Sequence, residues 1–71
     1  MFKSINPNMV ILARESRSLT QSQLSKALNI SQGNLSKIEN GIQNQVSDEL
    51  LNDFSKILNY PKDFFSLNEE V

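Results

Sequence analysis

Residues 20–41 read TQSQLSKALNISQGNLSKIENG, and this stretch decides the fold. Thr20 and Gln23 form the S/T-x-x-E/Q pattern, in which each side chain satisfies a backbone N–H that a helix start leaves unpaired. Leu24 and Leu28, one turn apart, give the inward stripe of a helix over 21–28. Ser25 is small enough to sit where a second helix crosses closely. Asn29 ends the helix, because Asn enters the left-handed backbone region more readily than any residue but Gly. Ile30 plugs the core, and Ser31 caps a second helix over 32–40. Leu35 and Ile38 anchor that helix, and Gly41 closes it. Gln32, Gly33, Asn34, Ser36 and Lys37 are left for solvent or a partner.

Working outward, Asn6-Pro7 opens a helix over 7–17, since Asn caps well and proline suits the first helical position. Val10, Ala13 and Arg17 share its stripe. Met9 to Leu12 are four consecutive apolar residues, more than one face can bury. Ile11 is either a lone exposed side chain or, with Leu12, a contact for a second domain or partner protein. Residues 42–46 read as a loop. Ser47 caps a helix over 48–58, with Asp48 and Glu49 at the positive end of its dipole. Leu51, Phe54 and Leu58 form its core face. Pro61 starts a short fifth helix over 61–65, with Phe64 expected to pack inward and Phe65 outward. No β alternation is visible, and residues 1–4 and 66–71 read as tails.

The chain has 71 residues, room for a single domain with a small core worth roughly 3–5 kcal/mol. It has no Cys, no apolar run long enough to span a membrane and no recognisable leader peptide, so a soluble cytoplasmic protein is expected. The net charge of -1 argues against nucleic acid until its distribution is read. Residues 1–41 hold Lys3, Arg14, Arg17, Lys26 and Lys37 against Glu15 and Glu39, a net +3. Residues 42–71 carry a net -4, from two lysines against six acids. A basic binding face with an acidic back fits that asymmetry. With no His, no Cys and no Gly-rich phosphate loop, no catalytic residue, metal site or cofactor is assigned.

A capped helix, a tight turn and a second capped helix with a polar outer face form a geometry that can enter a DNA major groove. Gln32 and Asn34 can pair bidentately with adenine, and Lys37 can reach guanine. On these residues, LTQSQLSKALNISQGNLSKIENG followed by VSDELLNDFSKILNY, the chain resembles the phage-repressor or Xre-like helix-turn-helix family. ARESRSLTQ together with NYPKDFF further resembles amino-terminal domains that precede a metallopeptidase-like domain in some bacterial and phage regulators. The resemblance implies an all-α, five-helix, lambda-repressor-like fold with its third helix in the major groove. Sequence-specific binding of double-stranded DNA by a transcriptional regulator is the function expected, with a repressor acting as a homodimer. Ser31, Gln32, Gly33, Asn34 and Lys37 would then face bases. Gln21, Ser36, Asn40 and Gly41 would approach phosphates. Arg14 and Glu39 match an ion pair that links the first helix to the end of the third.

Three positions depart from the family pattern. Asn29 stands where Gly is usual, Ser25 where Ala is usual, and the loop IQNQV has no Lys or Arg. Gly33 either permits close backbone approach or merely weakens its helix by about 1 kcal/mol. The alternative function is a protein-interaction module of the same fold that reads little DNA.

Overall fold

The computed structural model describes residues 2–66, and within them the chain forms four α-helices, a two-stranded sheet and a closing 3-10 turn. The elements run β1 (Phe2–Ser4), α1 (Pro7–Ser16), α2 (Gln21–Leu28), α3 (Gln32–Glu39), β2 (Gln45–Ser47) and α4 (Asp48–Leu58), then the turn at Lys62–Ser66. The expected fifth helix is therefore a 3-10 turn, and the helix count is four. Most of the expected tail at 66–71 lies outside the described residues.

The helix ends follow local chemistry. Asn6 accepts from the Asn8 N–H at 3.0 Å, with Pro7 in the first turn of α1. Both halves of the Thr20–Gln23 capping box form, at 2.9 and 3.0 Å. Ser31 and Ser47 cap α3 and α4 by accepting from the N–H groups of Asn34 and Leu50, each at 3.1 Å. Asn29 and Asn59 end their helices in the left-handed region at φ 61° and 59°. Gly41 does the same after α3 at φ 79°, where a side chain would be strained. Ser18, between α1 and α2, also sits at φ 59°. That position carries no sequence signal, because Ser has none of the local preference of Gly or Asn.

The core lies where the inward stripes of the four helices meet. Val10 and Ala13 come from α1, Leu24 and Leu28 from α2, Leu35 and Ile38 from α3, and Leu51, Phe54 and Leu58 from α4. Ile5 and Val46 join it from the sheet side, and Phe65 from the closing turn.

The fold is mostly helical, as expected, and the small sheet corrects the expectation of a free N-terminal tail. β1 and β2 pair antiparallel, with Lys3 opposite Val46. Three-residue strands joined across forty-odd residues leave no alternation to read. Phe64 and Phe65 also exchange the expected places: Phe65 is fully buried and Phe64 half-buried. A 3-10 turn advances about 120° per residue rather than 100°, so an α-helical register misassigns the inward side chain. The turn is further drawn against β1, because the Asn6 N–H donates to the Phe65 carbonyl at 2.7 Å and Ser66 Oγ to the Ser4 carbonyl at 3.1 Å. Phe65 packs on Phe54 with ring centroids 5.7 Å apart, and Phe64 stacks on Tyr60 at 4.4 Å.

Arg17 ties α1 to the end of α4. Its Nε donates to the Leu58 carbonyl at 2.8 Å and its Nη2 to the Asn59 carbonyl at 3.2 Å. The guanidinium also lies over the Tyr60 ring, 4.6 Å from its centroid. A cation at a helix C-terminus complements the dipole, and here it satisfies carbonyls as well. The Tyr60 hydroxyl meets Ser16 Oγ at 2.7 Å.

Replacing Ser18 by Gly removes a left-handed strain without touching a packed side chain. Urea denaturation is expected to show a gain of about 0.5–1 kcal/mol, whereas Phe65→Ala should cost about 3 kcal/mol or more.

Candidate nucleic-acid interface

The unit of interest is α2, the turn at Asn29–Ile30 and α3. Asn29 donates its N–H to the Lys26 carbonyl at 3.1 Å and Ile30 to that of Ser25 at 3.0 Å, so the chain reverses without losing backbone bonds. Ser25 is buried, and its hydroxyl donates to the Ser22 carbonyl at 3.0 Å, which leaves no unpaired polar group at this site. Ile30 packs half-buried against the core.

Leu35, Ile38 and Glu39 form the buried side of α3. At about 100° per residue, Gly33 and Lys37 fall opposite them, with Gln32 and Asn34 to either side. Gln32, Gly33, Asn34 and Lys37 are all exposed, as is Ser31, whose Oγ is occupied by the cap. Ser36 is half-buried and accepts from Asn40 Nδ2 at 3.3 Å. Gly41 follows at the exposed end of the helix. The base-facing set expected from the sequence is thus exposed, with Gly33 and Lys37 opposite the core and Gln32 and Asn34 on the two flanks of the helix.

Behind that surface lies a buried polar junction. Arg14 Nε donates to Glu39 Oε2 at 2.7 Å and Nη2 to Oε1 at 3.0 Å, a bidentate pair. Arg14 Nη1 donates to the Leu19 carbonyl at 2.9 Å, and Gln21 Nε2 donates to Glu39 Oε1 at 3.0 Å. The two charged side chains are only 14% and 3% exposed. The hydrogen bond to Glu39 raises the Arg14 pKa above its ordinary value, against the lowering effect of burial. Glu39 therefore joins α1, the first turn of α2 and the last turn of α3 in one contact.

Two functional expectations change in detail. Gln21 gives one amide hydrogen to Glu39, so its other amide hydrogen and its backbone N–H are what it can offer a phosphate. Arg14 and Arg17 both spend their guanidinium groups inside the chain. The exposed cations of α2 and α3 are Lys26 and Lys37. Neither the Gln21–Glu39 bond nor the Arg17 cap has a sequence signature, since both depend on where separate helices end. In the unbasic loop, the Gln43 N–H donates to the Lys37 carbonyl at 3.1 Å, and Ile42 is 74% exposed. On α1, Ile11 is half-buried and Leu12 is the more exposed of the two.

A family model described as helix-turn-helix matches residues 10–65, from α1 into the closing turn. The chain belongs to the helix-turn-helix family. The Xre and lambda-repressor-like type is the one matched. The helix-turn-helix fold is also that of two solved structures. One is a crystal structure of SinR, the master regulator for biofilm formation, in complex with DNA. It has a TM-score of 0.81 and 20% identity, and the match covers 86% of this chain and 97% of that one. The other is the N-terminal DNA-binding domain of SinR from Bacillus subtilis, with a TM-score of 0.81 and 18% identity, covering 92% and 94%. No curated protein sequence matches the chain.

Removing one member of the buried pair strands the other. Glu39→Ala or Arg14→Ala is expected to lower the unfolding free energy by about 3 kcal/mol or more. The joint replacement of both by Met should recover part of that loss in the same urea titration.

Proposed function

We propose that this chain binds double-stranded DNA sequence-specifically, with α3 in the major groove, as a transcriptional regulator in the cytoplasm. The observation that carries the reading is the outward face of α3. Two amide side chains, Gln32 and Asn34, and one cation, Lys37, stand exposed on a helix fixed from behind by Leu35, Ile38 and the Glu39 junction. Rigid support of this kind holds amides in the orientation that bidentate pairing with adenine requires. That a SinR structure of the same fold was determined with DNA supports the reading.

In this reading residues 1–71 act as one domain, and Ser31, Gln32, Gly33, Asn34 and Lys37 face base edges. Gln21, Ser36, Asn40 and Gly41 approach the phosphates, mostly through neutral groups. Two copies related by a two-fold axis would place their recognition helices about 34 Å apart on a near-palindromic site and repress by occupying it. The alternative, a protein-docking module, draws on the exposure of Leu12 and Ile42.

Selection from a random duplex pool at low salt separates the two readings. The DNA reader enriches a defined site, and failure to enrich any sequence would sink it. With a selected site in hand, Gln32→Ala with Asn34→Ala should weaken binding at least tenfold, at about 1–3 kcal/mol per bidentate pair. Unchanged affinity in a folded double variant would remove these residues from the interface. If about three phosphates per protomer are neutralised, log K should fall with log salt at a slope near three per protomer.

A further inference from the structure

Gly33 is a glycine that the fold does not use. Its backbone is ordinary helix, in contrast to Gly41, whose φ is positive. A Cβ added at Gly33 would meet only Ser31 Oγ, at 4.0 Å, so no packed neighbour excludes a side chain. The position is exposed and lies opposite Leu35 and Ile38 on the helix. Glycine within a helix costs stability relative to alanine. The chain thus carries part of that cost in the first turn of α3, on the side opposite the core, and neither turn geometry nor core packing accounts for it.

We infer that Gly33 is a specificity-determining position at which the missing side chain is what matters: the gap brings the α3 backbone close to the base edges of the groove. This rests on the DNA-binding reading above and adds a steric condition to it. Gln32 and Asn34 flank the gap, and Asn34 has a short side chain. A bidentate bond from Asn to adenine needs both the amide oxygen and nitrogen within hydrogen-bond distance of the base edge. A side chain between the two amides would act as a spacer and lift both of them. Lys37, one turn further on and with a longer reach, depends less on that approach.

The test compares the full chain with Gly33→Ala and Gly33→Gln in two measurements. Thermal unfolding should show Gly33→Ala raised by a few degrees, because alanine is the better helix former. Affinity for the site selected by the unsubstituted chain should fall about tenfold for Gly33→Ala, the loss of one good bidentate pair, and further for Gly33→Gln. A gain in stability joined to a loss of site affinity supports the inference. A fall in the unfolding temperature for Gly33→Ala would mean that the fold needs this glycine, and would overturn it. Undiminished site affinity in Gly33→Ala would overturn it while leaving the DNA-binding reading intact. If the unsubstituted chain selects no site, that reading fails and the assignment of Gly33 fails with it.

Discussion

The bidentate bond between Arg14 and Glu39 is the contact on which the arrangement of the helices depends. An unpaired carboxylate at the end of α3 would be costly so close to the core, and one guanidinium from α1 satisfies both of its oxygens. The same guanidinium holds the Leu19 carbonyl, and the same carboxylate receives Gln21 from the start of α2. Apolar packing brings the three helices together but tolerates some sliding. Directional bonds meeting at one carboxylate do not, so they fix the relative angles of the helices. The outward face of α3 inherits its orientation from that junction.

What could be read from the sequence was local. The caps at Thr20 and Ser31, the helix ends at Asn29 and Gly41, and the inward stripes all follow from residues within a few positions of each other. The amides of the candidate site were legible for the same reason, because they are what remains of α3 after its buried stripe is removed. The features that were missed depend on distant partners. β1 exists only because residues near 46 come alongside it. Phe65 is buried because its turn is drawn to β1 and follows a 3-10 register. Gln21 meets Glu39, and Arg17 reaches the end of α4, through helix placement that no spacing encodes. The meeting of Arg14 and Glu39 came from family resemblance, since nothing in a separation of 25 positions predicts it.

The internal use of both arginines changes how the charge should be understood. The surplus of cations in residues 1–41 suggested a basic face, yet the two strongest hydrogen-bond donors in it point at Glu39 and at the α4 carbonyls. The Arg14 charge is balanced by Glu39, whereas Arg17 meets only neutral carbonyls and keeps its charge beside the end of α4. The surplus therefore remains as a field, but neither guanidinium is free to make the close contacts that the proposed reading assigns to neutral groups.

The Ser66–Ser4 hydrogen bond spans 62 positions, against 18 for Gln21–Glu39. Loop-closure entropy therefore opposes the first contact by about 1 kcal/mol more than the second. Against that larger penalty the two ends are held by the Asn6–Phe65 bond and the buried Phe65 ring as well as by the exposed Ser66–Ser4 bond, while the helix pair is held by part-buried bonds with the smaller one. The closing turn thus acts as a clasp: the ring of Phe65, in the same core as Leu24 and Leu35, offsets the cost of bringing the two ends together.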